Sequence, residues 1–209
     1  MKSTLQVLNN EALYERDGTS FHSMPDKNTL IETLNFIGIK NKTILDMGGG
    51  LGSTYICYQD VFLKKVSNYI VFEQEKFYDI GNKLSTEHNL DISFINNISN
   101  IKEKIDIVIC SSFLQYIQDF IGIVNQILRL NSEFILIDRN PVTNDDSKIF
   151  VQLNSGYYEK PVTYPLHIIN EREFIDAFHG YTLIKSWNSD FDPPYFKGYL
   201  FKRNKLKSK

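Results

Sequence analysis

The stretch Thr43-Ile44-Leu45-Asp46-Met47-Gly48-Gly49-Gly50-Leu51-Gly52-Ser53 decides how the rest of the chain is read. Its β-branched apolar start predicts a strand ending at Asp46, then four glycines within five positions, then the onset of a helical pattern. Glycines at such a junction let the backbone turn sharply and let a ligand lie against the main chain. A helix N-terminus behind the loop favours a negative group. The next predicted strand ends at Glu73, 25 residues past Gly48. A carboxylate there suits the two hydroxyls of a ribose. Together these features predict a nucleotide-type site rather than a bare turn.

Working outward, short β-branched runs alternate with helical patterns. Residues 43–46, 69–72, 92–95, 105–110 and 134–137 read as strands, and helices are expected near 52–65, 76–88 and 119–130. An earlier helix starts near Asp26, carries Leu30, Ile31, Leu34 and Ile37 at helical spacing, and stops by Gly38. Most of the strands are apolar throughout, as expected for strands covered on both faces. Strand–helix alternation of this kind implies right-handed crossovers and a parallel sheet. Residues 139–169, with Pro141, Gly156, Pro161 and Pro165, show no clear period and are expected to serve the substrate. Asn170 reads as the N-cap of a helix through Phe178, and Gly180 ends it. Strands at 182–187 and 195–201, joined by the Asp190–Pro194 link, predict a closing hairpin.

The expected fold is therefore α/β and Rossmann-like: the class I methyltransferase layout, a mostly parallel seven-stranded sheet with helices on both faces and a C-terminal antiparallel hairpin. One domain, 1–209, accommodates it: a lid segment 1–27, a cofactor-binding core 28–138, an insertion 139–169, a helix and hairpin 170–203, and a basic tail 204–209.

The loop also discriminates between cofactors. A dinucleotide fingerprint G-x-G-x-x-G starting at Gly48 needs glycine at position 53, where Ser53 stands. The pattern is instead D-x-G-x-G-x-G, and a pyrophosphate beside the Asp46 carboxylate is electrostatically disfavoured. S-adenosyl-L-methionine is preferred over NAD. The expected cofactor set is Asp46, Gly48, Gly49, Gly50, Gly52, Glu73 and Gln74. Asn96 and Asn97 after the third strand join it as readers of the adenine edge, or form an ordinary loop pair. Ser111 and Ser112 after the fourth strand lie at the carboxyl edge, where doubly wound sheets place ligands. An NAD-linked oxidoreductase and a non-catalytic S-adenosylmethionine-binding module remain the alternatives.

Composition narrows the partners. Lys and Arg total 23 against 25 Asp and Glu, a balance that offers no field for nucleic acid or an anionic membrane. No signal-like or membrane-spanning apolar run is present, and Cys57 and Cys110 read as reduced thiols, so a cytoplasmic protein with a small-molecule substrate is expected.

The chain resembles a largely uncharacterised family of bacterial class I S-adenosylmethionine-dependent methyltransferases often associated with surface-polysaccharide genes. The stretches that carry the resemblance include Tyr14-Glu15-Arg16-Asp17-Gly18, the glycine loop itself, Val71-Phe72-Glu73-Gln74, Ser111-Ser112-Phe113-Leu114-Gln115-Tyr116, Ile137-Asp138-Arg139, Val151-Gln152 and Tyr164-Pro165. The resemblance implies this fold, this cofactor and a small-molecule acceptor.

Methyl transfer from a sulfonium is an in-line displacement, so alignment is the protein's main task, and an alcohol acceptor gains from a general base. His22, in the lid, and His167, in the insertion, are candidate bases. Arg139, at the end of the fifth strand, is a candidate for holding an anionic acceptor in the reaction. Tyr14, Arg16, Gln115, Tyr116, Arg139, Tyr157 and Tyr164 are the expected substrate-binding residues. Cys110-Ser111-Ser112 stands where a metal-dependent variant wants a carboxylate, so no metal is expected.

Overall fold

The structure, a computed structural model, describes residues 2–9, 11, 14–16, 19–21, 29–63, 65–154, 161–189 and 196–205. The chain forms two compact units, Met1–Glu103 and Lys104–Lys209.

In the first unit, α1 (Lys2–Leu8) precedes a small antiparallel pair, β1 (Tyr14–Arg16) and β2 (Thr19–Phe21). α2 (Thr29–Ile37) buries Leu30, Ile31 and Leu34, the apolar face expected of it. β3 (Thr43–Met47), β4 (Asn68–Phe72) and β5 (Ser93–Ile95) then run side by side and parallel. All five residues of β3 are buried, which explains why the strand shows no polar–apolar alternation. α5 (Glu75–Glu87) links β4 to β5.

The helix expected over 52–65 is two short pieces, α3 (Ser53–Cys57) and α4 (Gln59–Phe62), parted at Tyr58 with φ −123°. Packing accounts for the break. In a continuous helix Tyr55 and Phe62 stand about 10 Å apart along the axis, whereas their rings stack here at 5.8 Å. Both also close on Tyr69 of β4, at 5.2 and 5.1 Å, making a buried aromatic cluster.

The second unit holds β6 (Ile107–Ser111), α6 (Phe120–Arg129), β7 (Phe134–Thr143), β8 (Lys148–Asn154), β9 (Val162–Asn170), α7 (Glu171–Asp176), β10 (Tyr181–Asn188) and β11 (Phe196–Arg203). β6 and β7 are parallel, and β11 joins β7 antiparallel with β10 outside it. The closing hairpin is thus present, and its Asp190–Pro194 link lies outside the described residues. Phe174, Phe178, Tyr199 and Phe201 form the unit's aromatic core, with Phe178 and Phe201 stacked at 4.5 Å. Asn170 caps α7 as expected, accepting from the N–H groups of Arg172 and Glu173 at 3.0 and 3.2 Å.

The insertion departs from expectation. Far from lacking regular structure, it extends β7 to Thr143 and folds back as the antiparallel pair β8–β9, with β9 running parallel to the end of β7. Ile149, Val151 and Leu153 are 62–75% exposed, so β8 lacks the polar outer face that marks a strand in sequence. Pro165 adds a strand-breaking signal at an exposed position of β9. Among the described residues no helix is long and apolar enough to cross a membrane.

Candidate cofactor and acceptor sites

The glycine loop leaves β3 at Asp46 and needs its glycines individually. Gly48, Gly50 and Gly52 take φ of 73°, 60° and 83°, a left-handed path that costs other residues. Gly49 has another reason. A Cβ there stands 2.6 Å from Asp46 Oδ2, so the carboxylate lies directly against the loop backbone. At Gly50 a Cβ meets nothing within 4 Å, so the loop presents bare backbone to open space.

Glu73 ties this loop to the end of β4. Gly50 N–H donates to Glu73 Oε1 at 3.0 Å and Gln74 N–H to Oε2 at 2.9 Å. Burial raises the Glu73 pKa above the usual carboxylate range, and the bonds from Gln74 and Gly50 oppose that rise. Each oxygen still has a lone pair beyond the one its N–H uses. Gln74 is exposed and caps α5 without a side-chain bond. Asn97 accepts from Ser99 N–H and Oγ at 2.9 and 2.8 Å, so its oxygen serves a local turn. Asn96 is exposed beside it.

Asp46 is 1% exposed and accepts from the Tyr69 hydroxyl at 2.7 Å. Tyr69 was not among the expected site residues. Its signal was there: a tyrosine inside an aliphatic strand needs a buried partner for its hydroxyl. The backbone of Tyr14 and Arg16 lies in β1, and α1 and β1 pack on α3, directly behind the loop. His22 and Tyr157 lie outside the described residues.

In the second unit, the β6–β7 pairing ends with Ser111 opposite Asp138, and β7 runs on to Thr143. Ser111 Oγ donates to Asp138 Oδ2 at 3.0 Å and accepts from Arg139 Nε and Nη2 at 3.2 and 3.1 Å. Arg139 also pairs with Asp138 at 3.4 Å. The arginine expected to face an acceptor is therefore held by its own neighbours.

Among the described residues, five other than glycine have positive φ. Asn41, Asn89 and Asn131 are of the type that tolerates it, but Ser112 (50°) and Arg139 (53°) are not. These two meet at one edge, where Ser112 N–H donates to the Asp138 carbonyl at 2.9 Å. Such strain tends to gather at functional sites. Close by, Gln115 Nε2 donates to the Arg139 carbonyl at 3.3 Å. Gln115 Oε1 and Asn140 Oδ1 are buried with no hydrogen-bond partner among the described residues.

Two expected substrate residues, Tyr116 and Tyr164, come together edge to face at 5.3 Å. The Tyr116 hydroxyl donates to Gln152 Oε1 at 3.4 Å, and Gln152 stands opposite Tyr164 in the β8–β9 pair. His167 is three residues from Tyr164 along β9, hence on the opposite face of that strand, and it does not join the group.

No family model matches the chain, and no curated protein matches it by sequence. Solved structures do. An S-adenosylmethionine-dependent methyltransferase from Clostridium acetobutylicum ATCC 824 aligns over 84% of this chain and 89% of its own, at 13% identity and TM-score 0.59. Magnesium protoporphyrin IX methyltransferase from Synechocystis PCC 6803, solved with bound SAH, aligns over 84% and 81%, at 12% identity and TM-score 0.59. The N-terminal domain of EvdMO1, solved in the presence of SAH and D-fucose, aligns over 98% and 96%, at 9% identity and TM-score 0.56. The fold of this chain is the class I methyltransferase fold.

Proposed function

We propose that the chain is an S-adenosylmethionine-dependent methyltransferase acting on a hydroxyl-bearing small molecule: a sugar, a sugar nucleotide or a phosphorylated precursor of a surface polysaccharide. The observation that carries the cofactor is the bond from Gly50 N–H to Glu73 Oε1. It sets bare loop backbone and a ribose-accepting carboxylate side by side, the two surfaces a methionine-plus-nucleoside ligand requires. The buried Asp46 carboxylate beneath the loop makes the same surface a poor seat for pyrophosphate. When bound, the cofactor supplies an activated methyl group; Glu73 would hold its ribose and the loop its amino-acid end.

For the acceptor, Tyr116 and Tyr164 offer aromatic surface beside the Gln152 amide, a pairing suited to a sugar ring. One neighbour of the same fold was solved in the presence of D-fucose, a hydroxyl-bearing sugar.

The test is a screen of purified protein with S-adenosylmethionine against nucleotide-sugar and phosphorylated-sugar pools, reading S-adenosylhomocysteine release. Acceptor-dependent release is expected. Stabilisation by NAD but not by S-adenosylhomocysteine would favour the oxidoreductase. Binding of S-adenosylhomocysteine without turnover on any acceptor would favour a binding module.

A further inference from the structure

Tyr69 is 1% exposed, with its ring against Tyr55 and Phe62 at 5.2 and 5.1 Å. Its hydroxyl, buried with the ring, has a polar partner. It donates to Asp46 Oδ2 at 2.7 Å, and the Thr54 side chain lies within reach of it. Asp46 is the last polar residue before the glycines, and Thr54 lies in α3, just after them. A single hydroxyl therefore lies between the two ends of the loop and is bonded to the first. The oxygen it holds is also the one lying 2.6 Å from the Cβ position of Gly49. The loop cannot sink at Gly49 without displacing Asp46, and Asp46 cannot move without releasing Tyr69.

We propose that Tyr69 is a positioning residue of the cofactor site: its hydroxyl clasps Asp46 and Thr54, and so sets the loop backbone that receives the amino-acid end of S-adenosylmethionine. The proposal rests on the cofactor reading above. It assigns Tyr69 no contact with the ligand. Its effect reaches the ligand through the loop, and should be confined to the part of the ligand that the loop holds.

That confinement is the test. Affinities of the full chain are measured by calorimetry for S-adenosylhomocysteine and for 5′-methylthioadenosine, which lacks the amino-acid end. Tyr69→Phe keeps the ring cluster and removes only the hydroxyl. It should weaken S-adenosylhomocysteine roughly tenfold, about one hydrogen bond's worth, and change methylthioadenosine by less than about twofold. Thr54→Val leaves the Tyr69–Asp46 bond in place, so it should fold even where Tyr69→Phe does not. It should weaken S-adenosylhomocysteine by a smaller factor, roughly threefold on the same hydrogen-bond scale. The double variant should bind no worse than Tyr69→Phe alone, because one clasp is being opened. Unchanged S-adenosylhomocysteine affinity in Tyr69→Phe, or in Thr54→Val where that variant must stand in, overturns the proposal. So do equal losses for both ligands, which mean general loosening. Wild-type protein that binds no S-adenosylhomocysteine fails the cofactor reading and this proposal with it. Wild-type binding that survives loss of the clasp fails this proposal alone.

Discussion

At Gly50, φ is +60° and no atom lies within 4 Å of where a Cβ stands, so a substitution there alters torsion and surface rather than packing. Gly50→Val places a β-branched residue in a left-handed conformation and projects it over the loop. S-adenosylhomocysteine affinity should fall at least about tenfold, on the scale of ~1.4 kcal/mol per decade, while far-UV circular dichroism stays that of the folded chain. Glu73 gives a pH signature. Burial lifts its pKa above the usual carboxylate range, so on acidification it takes a proton early and loses acceptor capacity. Ligand affinity should therefore decline at a pH above the usual carboxylate range. Stability linked to Glu73 runs the other way: with its pKa raised in the fold, the cost is absent below the unfolded-state pKa, grows as pH rises toward the raised pKa and is complete above it, so protonation removes it. Glu73→Gln should bind more weakly and show no such decline; a wild-type profile flat through that window would refute the assignment. Asp46, the glycines and Glu73 were legible in sequence because each sits at a strand end with a distinctive residue type. Tyr69 was not, because its role depends on two parallel strands and a short helix bringing one hydroxyl between Asp46 and Thr54.

Among the elements, α7 depends on Asn170 for more than its cap. The side chain accepts from Arg172 and Glu173 N–H and donates to the Asn144 and Asp145 carbonyls at 3.3 and 3.0 Å. Asn170→Ala thus frees a helix end and a turn together. Chemical denaturation should show a loss of about 1–2 kcal/mol, at the upper end for a cap. In the β8–β9 pair, Tyr164→Ala removes the ring that meets Tyr116. The acceptor KM should rise several-fold with S-adenosylhomocysteine affinity unchanged; a matching loss in cofactor affinity would place Tyr164 elsewhere in the mechanism. The cap could be read in advance because it is local chemistry. β8–β9 could not, because Ile149, Val151 and Leu153 leave one face apolar and exposed, and period-based reading relies on a polar outer face. The split of α3 from α4 escaped for a related reason: Tyr55 and Phe62 satisfy a helical pattern, and only Tyr69 across the core demands the break.

For the whole molecule, the alternation of the core strands with helices and the closing hairpin followed from residue patterning, whereas the division at Glu103 and Lys104 did not. No proline- or serine-rich linker marks that point, and the single-domain reading of 1–209 stays a proposal. The lid reading of the N-terminal segment stays a proposal, with α1 and β1 packed on α3, the helix that follows the loop. If ordering of that segment accompanies binding, amide exchange within residues 2–21 should slow when S-adenosylhomocysteine is added. Equal exchange rates with and without ligand would remove Tyr14 and Arg16 from the site.

Arg139 bears on natural variation as well as on chemistry. Its φ of 53° falls where β7 leaves β6 for β9, so the backbone there limits which residues natural variation can install. The chain meets the same torsional demand at Asn41, Asn89 and Asn131 with asparagine. Homologues that keep this turn but have abandoned the charge should accordingly carry Asn or Gly at the aligned site, and only rarely a β-branched residue. Arg139→Asn is, for the same reason, a cleaner probe of the guanidinium than alanine: it preserves the backbone's preferred hand and deletes the cation.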